Sequence, residues 1–117
     1  MAVDPNLVAT YKRDGVVVLR NLISFDALEL LRQGVLVNMK SPGPWANEYT
    51  PAGASGRFFD DYVNWQRIPQ FEEIGNTGSV PQAALDLMAT KTARMFHEHV
   101  LVKEAQTREV TPWHHDD

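Results

Sequence analysis

The sequence contains no cysteine. That excludes a disulfide framework and any zinc site built on thiolates, and it leaves the redox compartment unmarked. Basic charge is scarce as well: 11 Lys and Arg stand against 15 Asp and Glu, a formal net charge of −4. No basic stripe exists to neutralise phosphates or anionic lipid, so the expectation is no nucleic-acid partner and no membrane partner. Nowhere do 18 apolar residues run together, and the opening Met1-Ala2-Val3-Asp4-Pro5 lacks the basic and apolar regions of a secretory signal. A soluble, cytoplasmic protein is the default reading. Internal repeats, heptads and charge blocks are missing too.

What is present is ordinary globular composition, 44% hydrophobic and 22% charged over 117 residues, which suits one domain with a modest core. Asp4 before Pro5 reads as a helix cap and first-turn proline, and Leu7, Val8 and Tyr11 share a helical face until Asp14-Gly15 stops it. Val16-Val17-Val18-Leu19-Arg20 is a β-branched run that predicts a strand buried on both faces. Ser24 caps the next segment, where Phe25, Leu28, Leu31, Val35 and Met39 recur at three and four, the spacing of an amphipathic helix packed on the core.

Residues 41–56 hold Pro42, Gly43, Pro44, Pro51, Gly53 and Gly56, a density that excludes a regular helix or a central strand. So long a loop is either disordered or a packed, ligand-facing one, and Trp45 and Tyr49 within it favour the second mildly. Residues 58–65 then concentrate aromatics beside Asp60 and Asp61. Adjacent acids sit on different faces of any regular element, so these two are expected to be solvated or capping rather than metal ligands. Pro69 opens a short helical stretch through Phe71 and Ile74.

Ser79-Val80-Pro81-Gln82 has the form of a capping box, and Ala84, Leu87, Met88, Lys91 and Met95 trace a helix toward Phe96, with Leu87, Met88 and Met95 as core. Val100 to Glu104 alternates weakly and predicts a strand. A polar turn, Gln106-Thr107-Arg108-Glu109, leads to a terminal strand carrying Thr111-Pro112-Trp113-His114-His115-Asp116-Asp117. In an extended segment His114 and Asp116 point the same way, an imidazole and a carboxylate on one face. A His-x-Asp pair is two thirds of the facial triad that holds non-heme Fe(II) with open positions. Taken alone the tripeptide is more often a solvated polar end, and His97 reads as a surface or capping histidine rather than a third ligand.

The words around that pair narrow the choice. The run His97-Glu98-His99-Val100-Leu101-Val102-Lys103-Glu104, the later Thr111-Pro112-Trp113-His114-His115-Asp116, the earlier Phe58-Phe59-Asp60-Asp61-Tyr62-Val63-Asn64-Trp65-Gln66-Arg67-Ile68-Pro69 and the Asp14 to Arg20 segment together resemble the phytanoyl-CoA dioxygenase family over nearly the whole chain. The resemblance implies an Fe(II)- and 2-oxoglutarate-dependent oxygenase on an α+β fold, with N-terminal helices and the first strands of a double-stranded β-helix of the jelly-roll, cupin-like kind. It carries the iron ligands over to His114 and Asp116, with His115 in a position often occupied by Gln. It assigns His99 and Lys103 to the 2-oxoglutarate pocket and Trp113 to a place beside the site. By the same analogy residues 58–65 and the loop around Trp45 border the substrate entrance.

Relatives place a distal iron His and a 2-oxoglutarate-binding Arg downstream of the His-x-Asp word, and neither is in this chain. Three candidate strands also fall short of the eight or so that close a barrel. The expectation is therefore one partial domain over residues 1–117, inactive alone, prone to self-association through unpaired strand edges. In complete form it would take a small-molecule substrate, 2-oxoglutarate and molecular oxygen. The alternatives are a non-catalytic binding module derived from this fold, and an unrelated α+β domain whose His-rich tail binds metal incidentally. Substrate identity is not legible, because fold resemblance does not choose among chemistries.

Overall fold

Capping chemistry sets the first two helices. The computed structural model describes residues 3–115. In it Asp4 accepts a hydrogen bond from the Asn6 amide, Pro5 takes the first turn, and α1 (Pro5–Asp14) ends at Gly15, whose φ of 75° lets its amide close on the Tyr11 carbonyl. Helix α2 (Phe25–Lys40) starts at Ser24, whose hydroxyl accepts from the Ala27 amide. Its apolar stripe divides. Leu31, Val35 and Met39 pack on the core, whereas Phe25 and Leu28 at its start face outward.

The expected strand at Val16 to Arg20 does not form. The segment has no ladder partner among the described residues, and Val16 and Val18 are two-thirds exposed. A β-branched run becomes a strand only where a neighbouring edge takes up its backbone groups, and the sheet lies elsewhere.

That sheet is antiparallel, in the order β1 (Asn47–Glu48), β2 (Phe58–Tyr62), β3 (His99–Lys103). Strand β1 is a two-residue edge inside the Pro/Gly-rich loop, and β3 begins one residue before the expected span. Strand β2 was not foreseen, since two adjacent acids disfavour a strand. Register pairs Phe58 with Lys103, Phe59 with Val102, Asp60 with Leu101, Asp61 with Val100 and Tyr62 with His99. The sheet stays open, with no closure into a barrel among the described residues, and the fold is a mixed α+β one.

Helices α3 (Pro69–Asn76) and α4 (Ser79–Met88) follow β2. Gly78, not Ser79, is the N-cap of α4, and the helix stops at Met88 instead of reaching Phe96. Ala89 adopts φ 52°, and the amides of Ala89 and Thr90 close on Asp86 and Leu85, turning the chain toward β3. Lys91 and Met95 therefore fall outside the helix, Met88 is half exposed, and Met95 packs against Gly75.

The core is Phe59, Ile68, Phe71 and Val100, with Leu31, Val35, Met39, Trp65 and Val102 around it. Helix α2 approaches α3 at Gly34, where a Cβ would come within 2.6 Å of the Phe71 ring. Behind the core lies a polar knot. Asp61 is fully buried and accepts from Gly43 N (2.7 Å), Asn38 Nδ2 (2.8 Å) and Tyr62 N (2.9 Å), with Arg67 Nη2 at 3.9 Å. Arg67 in turn donates to Asn64 Oδ1 and to the Ser41 carbonyl. So Asp61 and Asp60, expected at the surface, are both buried. Their partners come from α2 and from the 41–56 loop, which is thus the packed kind.

The radius of gyration, 16.3 Å, exceeds the roughly 13 Å of a compact domain this long. The excess reflects an open sheet and the segment after β3, where the expected terminal strand does not form over residues 111–115; Asp116 and Asp117 lie outside the described residues. Among the described residues no helix is long and apolar enough to cross a membrane.

Burial pushes the Asp61 carboxyl up, but hydrogen bonds from Gly43, Asn38, Asn64 and Tyr62 outweigh it and hold it below the usual carboxylate range. A depressed folded-state value adds stability above the unfolded pKa, near 3.9, that is lost as pH falls through the folded value. Urea midpoints measured from pH 7 down to pH 2 should therefore fall in acid. In Asp61→Asn stability should drop by about 2 kcal/mol at pH 7, with a flatter acid limb. Gly34→Ala should cost about 1–3 kcal/mol by overpacking against Phe71.

Candidate functional site on the open sheet face

Alternation along the strands gives the sheet two unlike faces. Phe59, Asp61, Val100 and Val102 face the helices. Phe58, Asp60, Tyr62, His99, Leu101 and Lys103 share the other face, with Asn47 directly across from Asp60. Among the described residues no helix covers this second face, and Leu101 and the His99 side chain are about half exposed on it.

At its centre is Asp60, 8% exposed. Its Oδ1 accepts from Asn47 Nδ2 at 2.8 Å, and its Oδ2 accepts from the Tyr49 hydroxyl at 3.0 Å. His99 Nε2 lies 3.5 Å from the same Oδ2. Burial, and then the hydrogen bond to Asp60 and the charge of its carboxylate, push the Tyr49 phenol above its ordinary value. Tyr49 reaches this point because its ring packs on Phe58, centroids 4.7 Å apart.

Aromatic rings surround the acid. Tyr62 stacks on Trp45 at 6.3 Å, meets His99 edge-on at 5.5 Å and lies 6.0 Å from His97. Lys103 at the other end of β3 holds its Nζ 5.0 Å above the Phe58 ring. The turn after β2 is tied to the start of β3 by Glu98, whose carboxylate accepts from the Asn64 amide (2.6 Å) and the Trp65 amide (2.8 Å). Just before them Val63 adopts φ 63°, a costly conformation for a β-branched residue, held by the hydrogen bond its N–H donates to the Glu98 carbonyl.

The residues anticipated from the sequence divide into two groups. His99 and Lys103 do share the open face, four positions apart on β3. Trp113 does not pack beside them: it is fully exposed. His97 is exposed, its Nδ1 3.3 Å from the Glu98 carbonyl. His114 is exposed too, with Nδ1 2.8 Å from the Pro112 carbonyl. A carbonyl can only accept, so that contact is a hydrogen bond when Nδ1 carries the proton, and the ring's lone pair is then on Nε2. Metal-binding histidines are commonly oriented in this way. Asp116 lies outside the described residues. Among those described, no three His, Asp or Glu side chains converge as a metal-binding group.

Sequence reasoning missed Asp60, Tyr49 and Asn47 as a unit. Period-two alternation through residues 58–62 would have set Asp60 beside Tyr62, but nothing local signals that the loop folds back to supply Asn47 and Tyr49.

A second concavity, an apolar cleft of about 840 Å³, runs between α2, α3, α4 and β3 and is lined by residues such as Leu31, Phe71, Val80, Ala84 and Val100. Its lining also includes Arg94, Glu98, His99 and Lys103, so it adjoins the candidate site along β3. No family model, curated protein or solved structure matches this chain.

Tyr49→Phe removes one of the two hydrogen bonds that Asp60 accepts. It should cost about 1 kcal/mol in urea denaturation and move the His99 ring signals in an NMR spectrum. Unchanged His99 signals would separate Tyr49 from the site.

Proposed function

We propose that this chain forms the part of an Fe(II)- and 2-oxoglutarate-dependent oxygenase, of the phytanoyl-CoA dioxygenase type, that carries the first His and the Asp of the iron site. The observation that carries the reading is the Thr111-Pro112-Trp113-His114-His115-Asp116 word following a strand whose polar residues face an open sheet surface. The Nδ1 contact of His114 with the Pro112 carbonyl is of the kind that orients metal-binding histidines. Bound together, Fe(II) and 2-oxoglutarate would supply the oxygen activation and hydroxyl transfer, chemistry that no side chain provides.

The chain's own residues have simpler tasks in this reading. His114 and Asp116 hold the metal. Lys103, a fixed cation on the sheet face, offers its ammonium to a carboxylate of 2-oxoglutarate, and His99 offers a ring N–H or lone pair on the same surface. Tyr62 and Trp45 stack along one side of the face and border its entrance. A distal His and an Arg, supplied by another segment, complete the ligand set, and further strands extend the sheet past β3 into a jelly roll. The uncovered cleft beside β3 and the exposure of Val16, Val18, Phe96 and Val110 support such an extension. Without it, those surfaces favour self-association.

Metal binding tests the reading. Titrated with Mn²⁺ as an air-stable substitute for Fe(II), the 117-residue chain should bind weakly, because it offers two protein ligands where a facial triad has three. His114→Ala and Asp116→Ala should each weaken binding about tenfold or more. With Fe(II) and 2-oxoglutarate it should release no succinate above background. Equal Mn²⁺ affinity in wild type and both variants would remove the iron site from the account.

A further inference from the structure

The structure buries two carboxylates and treats them differently. Asp61 has an arginine, Arg67, as its counterion at 3.9 Å. Asp60, 8% exposed, has no such partner among the described residues: its one ionic contact is the His99 imidazole at 3.5 Å, and an imidazole is not a permanent cation. A buried carboxylate without a fixed counterion is electrostatically incomplete. About an eighth of the Asp60 side chain still reaches solvent.

What borders that opening is aromatic. Tyr49 donates to the carboxylate, and Tyr62, Trp45 and His99 lie on the same face, with Trp45 55% and Tyr49 43% exposed. Ring faces carry negative potential and attract cations that shed water readily. The sheet already uses this chemistry on both faces, with Lys103 over Phe58 and Arg57 over Phe59 at 4.5 Å. A divalent metal would need three or more oxygen or imidazole ligands, and among the described residues only Asp60 and His99 converge here. The remaining contacts are carbon rings, which suit an organic cation.

We propose that the open sheet face binds a small molecule through an alkylated ammonium head group, with the Asp60 carboxylate as counterion and Trp45, Tyr49 and Tyr62 as its aromatic surround. The assignment goes beyond the oxygenase reading and stands without it. If that reading also holds, the ammonium compound is the substrate and enters from the side of Trp45.

Choline chloride is a suitable probe, titrated without metal into the full 117-residue chain and followed by NMR. Sodium chloride at equal ionic strength and the neutral isostere 3,3-dimethylbutan-1-ol are the controls. The expected result is saturable shifts at Trp45, Tyr62 and His99 with a millimolar Kd, and none with the alcohol. Asp60→Asn should raise the Kd about tenfold, and Trp45→Ala, a change at an exposed side chain that leaves the fold intact, about threefold. The Trp45 variant decides the matter if Asp60→Asn fails to fold. Equal shifts with the neutral alcohol, a choline Kd unchanged in Trp45→Ala, or loss of the choline shifts on adding equimolar Mg²⁺ would each overturn the proposal, the last in favour of a metal site.

Discussion

The fully buried carboxylate of Asp61 is the constraint on which the rest of the structure depends. It draws together Asn38 near the end of α2, Gly43 at the start of the long loop, the β2 backbone, and Arg67 ahead of α3. A charge in that position is tolerated only because each of those groups is turned toward it. The loop cannot drift while its Gly43 amide is so engaged, and a side chain at Gly43 would collide with the Asn64 amide. From that fixed point the loop delivers Trp45, Asn47 and Tyr49 to the opposite face of the sheet. One buried anion thus positions the residues that surround the other.

The division of labour between the faces follows from the pleat. Odd-numbered residues of β2 belong to the core and its polar knot, and even-numbered ones belong to the open surface, so Asp60 and Asp61 have unlike environments although they are neighbours. Glu98 adds a second tie, binding the turn after β2 to the residue just before His99. The strained Val63 lies inside that tie, which fixes how Tyr62 and His99 approach each other. A candidate site held by such crosslinks is more rigid than one carried on a free loop.

Much of the helical structure is legible in the sequence, because caps and apolar spacing are local signals. Asp4-Pro5 and Ser24 start α1 and α2 where expected, and Pro69 opens α3. The far end of α4 is not legible: the spacing of Leu87, Met88, Lys91 and Met95 continues as a helix would, but the chain must leave after Met88 to reach β3. Strand β2 runs against propensity, and its acids are satisfied by Asn47 and Asn38, 13 and 23 residues away. No window on the sequence contains those partners. The reverse error at Val16 to Arg20 has the same origin, since a strand exists only with a neighbour. At the site, the His-x-Asp word and the polar positions of β3 are readable, while the Asp60, Tyr49 and Asn47 cluster arises wholly from tertiary structure.

The central claim is that the terminal His114 and Asp116 act together with the polar face of the sheet. Paramagnetic broadening by Mn²⁺ in the NMR spectrum of the chain tests it most directly, since the effect falls steeply with distance from the ion. The account predicts broadening at residues 113–117 that extends to His99, Tyr62 and Lys103 and disappears in His114→Ala. Broadening confined to the terminal residues, or centred on surface acids such as Glu72 and Glu73 and indifferent to His114→Ala, would contradict it.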